Sequence, residues 1–157
     1  KNTPSDISLK KYIESILLSH KPKINEQLHQ IQLDIAENII ITTQPGALSQ
    51  VITNLIDNSY LHAFEDIQTG EINIRYEQIH KQHQLTYTDN GYGIEKVHLD
   101  KIFDKYFTTK EKTGGNGLGM PIIKHLIEED MQGSISVFSE PQQGVEIRIT
   151  LPLEFTL

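Results

Sequence analysis

A chain of 157 residues has the size of one domain, and 37% hydrophobic with 22% charged residues is ordinary globular material, neither disordered nor fibrous. The formal charge of −7 speaks against non-specific DNA binding and anionic membranes, and the lack of cysteine excludes a disulfide framework or thiolate metal site, as suits a reducing cytoplasm. No apolar stretch approaches the ~20 residues that cross a bilayer. The start, Lys1-Asn2-Thr3-Pro4-Ser5-Asp6, is no signal peptide, and without an initiator Met the sequence is expected to be a piece of a longer chain.

Residues 1–7 are polar and contain Pro4, so they read as a linker from an upstream domain, with one domain over 8–157. Ser8 is a good N-cap for a helix carrying Leu9, Tyr12, Ile13, Ile16 and Leu17 at helical spacing. Ile31 to Ile35 alternates as a strand, and Ile39 to Thr43 is expected to be its hairpin partner across Ala36-Glu37-Asn38. Pro45 opens a second helix with a broad stripe of Leu48, Val51, Ile52, Leu55, Ile56, Ser59 and Tyr60. After Gly70, Ile72, Ile74 and Tyr76 alternate, as do Leu85 and Tyr87 beyond a His80-Lys81-Gln82 turn, and this second strand delivers Asp89 to the sheet's edge.

Ile102-Phe103 and Tyr106-Phe107 lead into a polar loop, and a helix follows with Leu118, Ile122, Ile123, Leu126 and Ile127. Pro121 is tolerable in its first turn. Ile135 and Val137, a Pro141-Gln142-Gln143-Gly144 turn, then Val145, Ile147, Ile149 and Leu151 form a closing hairpin. Helices between hairpins predict an α+β two-layer sandwich: a mixed, mostly antiparallel sheet of about five strands with three main helices on one face.

Asn54, Asn58 and His62 recur every fourth residue and so share a helical face. An amide oxygen is a hard neutral ligand that suits Mg²⁺ when a triphosphate supplies the negative charge; the same spacing also fits a plain solvated face. Asp89 precedes Asn90-Gly91-Tyr92-Gly93. A carboxylate there can accept from the exocyclic amine of adenine and repel the guanine carbonyl, although Asp-Asn-Gly is equally good turn chemistry. Gly114-Gly115-Asn116-Gly117-Leu118-Gly119 runs into a helix, whose unpaired N–H groups suit polyphosphate; a ligand-free flexible loop is the alternative. It is neither a dinucleotide fingerprint nor a Walker loop, since no apolar strand precedes it and no Gly-Lys-Ser/Thr follows. Thr109 and Lys110 could reach phosphates if residues 104–116 close as a lid ordered by nucleotide.

Taken in order, these segments resemble a known set of boxes. Asn54-Leu55-Ile56-Asp57-Asn58 resembles the N box, Asp89 to Gly93 the G1 box, Ile102 to Lys110 the F box, and Gly115 to Met120 the G2 box. They mark the catalytic ATP-binding domain of two-component sensor histidine kinases in the GHKL superfamily, with its Bergerat fold. The resemblance covers about Ser8 to Leu153. It implies ATP and Mg²⁺ as cofactors, with Asn58 on the metal, Asn54 supporting metal and phosphates, and His62 near the nucleotide. Asp89 would read the adenine amine, Gly91, Gly93 and Ile94 would shape the base pocket, and Gly115, Asn116, Gly117, Leu118 and Gly119 would lie along the phosphates. Leu61 stands where many members carry a basic phosphate ligand, so that contact is expected from Lys110, and Lys105 replaces the F box's usual proline.

The implied activity is that of a protein-histidine kinase whose acceptor lies elsewhere. His20, His29, His98 and His125 are followed by Lys21, Gln30, Leu99 and Leu126, not by the acidic residue typical after an acceptor. The implied partners are therefore a phosphoacceptor helical dimerisation domain of the same parent protein and, indirectly, a response regulator, with no nucleic acid or membrane contact, in the cytoplasm. The alternatives are a GHKL ATPase clamp, or a module that only binds ATP. Clamp relatives carry a glutamate base where this chain has Asn54.

Overall fold

The computed structural model describes residues 3–19, 30–60, 64, 70–104 and 119–157. In chain order the elements are β1 (Ser5–Ser8), α1 (Leu9–Ser19), β2 (Gln30–Asp34), β3 (Ile40–Thr43), α2 (Pro45–Asn58), β4 (Glu71–Ile79), β5 (Gln82–Asp89), α3 (Lys96–Leu99), α4 (Gly119–His125), β6 (Ser134–Ser139) and β7 (Val145–Pro152). A wider, π-helical turn over Leu126–Asp130 continues α4.

Strands β2-β4-β5-β7-β6 form one sheet in that order, parallel only between β2 and β4. The expected α+β sandwich with a mostly antiparallel five-stranded sheet is the observed architecture. Residues opposite one another share a face, so Ile72, Ile74, Leu85, Tyr87, Ile147 and Ile149 all point to one side. There they meet Leu48, Val51, Ile52, Leu55 and Ile56 of α2, Ile13 of α1 and Ile123 of α4 in a single core. The opposite side carries Asn73, Arg75, Gln84, Thr88, Glu146 and Arg148. Apolar-in, polar-out alternation is what a sheet covered on one face requires.

Two sequence expectations fail here. β2 and β3 are not a hairpin: β2 lies parallel to β4, Gln30 opposite Glu71, while β3 runs antiparallel to β1, Ser5 opposite Thr43. Both segments are strands, but the alternation that marks β2 carries no information about partners. The Ala36 to Ile39 turn, closed by Ile39 N–H to the Ala36 carbonyl at 3.4 Å, turns the chain out of the main sheet. The second failure explains the first. The segment read as a linker becomes β1 from Ser5 onward, because Ile7 needs burial and finds it opposite Ile41. Ser8 therefore ends a strand, and Leu9 N–H is satisfied by the Ile39 carbonyl at 3.0 Å.

Candidate functional site

Pro45 at the first turn of α2 and the apolar stripe fix that helix against the sheet. Asn54 and Asn58 fall beside the stripe and are half-buried. The Asn58 amide donates from Nδ2 to Met120 Sδ at 3.4 Å. Gly119 abuts the same amide: a Cβ at 119 would stand 3.1 Å from Asn58 Oδ1 and 3.3 Å from Nδ2. The start of α4 and the end of α2 thus close on one side chain. Beyond Asn58 the helix widens, with Phe64 N–H donating to the Ser59 carbonyl five residues back at 2.9 Å. Such π-type turns recur at functional sites.

Asp89 ends β5, the central strand, rather than lying on a lateral edge of the sheet. Its Oδ1 accepts from the N–H groups of Gly91 at 3.0 Å and Val145 at 3.2 Å, and its Oδ2 accepts from Ser59 Oγ at 2.8 Å. Burial raises its pKa above the ordinary carboxylate value, and the bonds from Gly91, Ser59 and Val145 offset part of that. An ionised carboxylate has about four acceptor positions. Among the described residues three are taken, which leaves one on Oδ2 for an incoming N–H. Tyr87, two residues earlier and on the same face, is 2% exposed. Its hydroxyl lies 2.6 Å from Ser59 Oγ and donates to the Leu55 carbonyl of α2 at 3.0 Å. Burial pushes its pKa well up.

The loop after Asp89 is braced by the turn between β6 and β7. Ile94 N–H donates to Ser139 Oγ at 2.8 Å, which itself donates to the Gly144 carbonyl at 2.7 Å. Gln142 N–H donates to the Tyr92 carbonyl at 2.5 Å. Gly93 and Gly144 both have positive φ, +77° and +76°, and a Cβ at either would collide with backbone, of Glu140 and Asp89 respectively. The loop and the turn interlock only because both positions lack side chains.

Of the site residues anticipated from sequence, the structure draws Asn58 and Gly119 into contact and joins them through Ser59 to Asp89, followed directly by Gly91, Gly93 and Ile94. Asn54 lies one helical turn before Asn58. His62, Thr109, Lys110, Gly115, Asn116, Gly117 and Leu118 lie outside the described residues, as does the expected lid beyond Asp104. Sequence reasoning passed over Ser59, Tyr87, Ser139 and Gly144 as site residues. In sequence Ser59 reads as part of the helical stripe and Tyr87 as part of a strand, yet they sit within two residues of Asn58 and Asp89 respectively. Ser139 and Gly144 depend on how β6 and β7 are registered against β5, which has no local sequence signal.

The chain matches the family of histidine kinase-, DNA gyrase B-, and HSP90-like ATPases over residues 43–155. It is 34% identical over 131 residues to a probable C4-dicarboxylate sensor kinase of Bacillus subtilis (strain 168), covering 79% of this chain and 24% of that one. It is 31% identical over 160 residues to the sensor histidine kinase ZraS of Escherichia coli (strain K12), covering 98% and 33%. The chain thus spans about a quarter to a third of these relatives. The nucleotide-free catalytic domain of histidine kinase ThkA superposes with a TM-score of 0.81 at 24% identity, over 96% of this chain and 97% of that one. ThkA in complex with the response regulator TrrA superposes at 0.78 with 22% identity, over 96% and 42%. The chain belongs to this ATPase family, and it is the ATP-binding catalytic domain of the kind carried by sensor histidine kinases.

Proposed function

We propose that the domain binds Mg-ATP between α2, α4 and the end of β5, and presents the γ-phosphoryl group to a histidine on a separate helical domain. The observation that carries this reading is the acceptor position on Asp89 Oδ2 left open among the described residues, with the other three occupied by Ser59, Gly91 and Val145. It suits one N–H donor, such as the adenine amine, and opposes a carbonyl. Gly91, Gly93 and Ile94 wall the base on this reading. Asn58 holds Mg²⁺ with support from Asn54, His62 lies near the nucleotide, and Thr109, Lys110 and Gly115 to Gly119 serve the phosphates.

The donor set fits a hard cation that arrives with its nucleotide. Among the described residues no group of three His, Cys, Asp or Glu side chains could hold a metal. A neutral amide oxygen therefore contributes one ligand, and triphosphate oxygens contribute the charge. Bound there, Mg²⁺ would neutralise charge building on the phosphate oxygens. The chain's own residues bind and orient; no side chain here is asked to move a proton to the acceptor, so catalysis is positioning. Asn54 in place of a carboxylate base argues against the clamp-type ATPase.

On this reading the domain is the cytoplasmic ATP-binding part of a two-component sensor kinase, with a response regulator downstream. No helix of the described residues is long and apolar enough to cross a membrane. The test mixes this domain with the parent's helical phosphoacceptor domain and labelled ATP. Acid-labile phosphohistidine on the partner is the expected product. Release of inorganic phosphate with no labelled partner would point to the clamp instead.

A further inference from the structure

The side chains behind Asp89 hold more structure than a base contact needs. Four groups are joined in a row: the Leu55 carbonyl, the Tyr87 hydroxyl, Ser59 Oγ and Asp89 Oδ2. The three links measure 3.0, 2.6 and 2.8 Å. Both ends are pure acceptors while Asp89 is ionised, so two hydroxyl protons must serve three links and one link has none. A proton on Asp89 Oδ2 fills all of them: Asp89 donates to Ser59, Ser59 to Tyr87, and Tyr87 to Leu55. The row lies in the core, where a link without a proton is costly. Tyr87 is 2% and Ser59 3% exposed.

We propose that Ser59 and Tyr87 are positioning residues for base recognition, tying the Asp89 carboxyl to α2 and making its unliganded form hold a proton that adenine must displace. This rests on the reading of Asp89 as the base acceptor. The exocyclic amine needs an acceptor, and the remaining position on Oδ2 accepts well only from the ionised form. Asp89 Oδ2–H therefore gives its proton to solvent as the nucleotide N–H takes its place, and Ser59 Oγ–H turns from Tyr87 to Asp89. Asn58 immediately precedes Ser59 at the same helix end, so one element carries side chains to both the base end and the phosphate end of the pocket.

Among the described residues the surroundings supply no competing cation. The residues opposite Asp89 on β4 and β7 are Ile72 and Val145, which carry no charge. Asp57 of α2 and Tyr60 just beyond it act on Tyr87 in the sense that also opposes negative charge. Lys124 of α4 sits over the Phe103 ring, 5.1 Å from its centroid. Burial of Asp89 acts in the same direction as the missing proton.

Two measurements test this, and the first does not depend on nucleotide. Asp89→Asn puts a permanent donor next to Ser59 and completes the row. The unliganded variant is expected to melt at least about 2 °C above wild type at neutral pH. That gain should shrink in a Tyr87→Phe background, where one hydroxyl proton and two of the three links vanish and the Ser59 proton alone serves the link to Asp89. A variant no more stable than wild type, or the same gain without the Tyr87 hydroxyl, would overturn the proton count. The second titrates ATP with Mg²⁺ into wild type and Tyr87→Phe in buffers of different ionisation enthalpy, between about pH 4.5 and 7. Wild type should release up to about one proton more than Tyr87→Phe at the acid end, the nucleotide's own protons being common to both. Identical proton release by the two proteins overturns the proposal. Failure of ATP to bind at all, with the melting result intact, overturns the adenine reading and keeps the proton row.

Discussion

Gly119→Ala adds one methyl group at the point where α4 meets α2. The new Cβ would stand 3.1 Å from Asn58 Oδ1, 3.3 Å from Nδ2 and 3.6 Å from Cγ, so it presses on the whole amide. Contacts that tight require the neighbour to yield by a few tenths of an ångström, and Asn58 is the side chain that can. Its own tether is the weak bond to Met120 Sδ at 3.4 Å. Two effects then oppose each other in the fold. Alanine favours helix over glycine by about 0.5–1 kcal/mol, and the crowding costs about as much, so the melting temperature should move by less than about 4 °C. Binding has no such offset. If the Asn58 amide oxygen faces the metal, displacing it removes an interaction of about 1.5–3 kcal/mol, or roughly 10- to 150-fold in Mg-ATP affinity. Calorimetric titration with and without Mg²⁺, beside a thermal melt, reads both quantities. Unchanged Mg-ATP affinity in a folded Gly119→Ala protein would refute the placement of Asn58.

Asn58→Ala should abolish the Mg²⁺-dependent part of ATP affinity and leave the melt nearly unchanged, since among the described residues the side chain's hydrogen bond is to a thioether; titrations with excess chelator provide the comparison. Gly144→Ala should destabilise by more than about 2 kcal/mol, because its φ of +76° is strained for alanine and the methyl meets the Asp89 carbonyl. Chemical denaturation measures that loss, and weaker ATP binding should accompany it in whatever fraction remains folded. Asp89 should also leave a mark on stability against pH. Its folded pKa is raised, so the folded protein holds more protons than the unfolded chain between the ordinary carboxylate value and the raised one. Stability should therefore fall as pH rises through that window and level off above it, a slope that Asp89→Asn removes. Steady-state ATP hydrolysis by the isolated chain should be near background, because Asn54 cannot serve as a base.

Much of this was legible in the residues because the periods were clean. The α2 stripe, the β4–β5 pair and the β6–β7 hairpin each have one dry face, and a one-residue shift would expose it. The positions of Asn58 and Asp89 follow from those periods. What stayed hidden was pairing across distance. Nothing in Ile40 to Thr43 says that Ser5 to Ser8 will lie beside it, and a polar tetrapeptide with one isoleucine looks like a linker until Ile41 covers that isoleucine. The Ser59–Tyr87 contact is hidden for the same reason: 28 residues separate a serine that ends a helix from a tyrosine that looks like strand filling. Gly144 reads as turn chemistry in the sequence, and only the register of β7 on β5 places it against Asp89.

The central claim is that Asp89 makes this pocket an adenine site, and discrimination between purines tests it most directly. Wild-type protein with Mg²⁺ would be titrated with ATP alone and then in the presence of GTP. The carboxylate should bind the adenine amine and repel the guanine carbonyl, so ATP should bind and excess GTP should leave its apparent affinity unchanged. GTP competing as well as ATP itself would contradict the assignment.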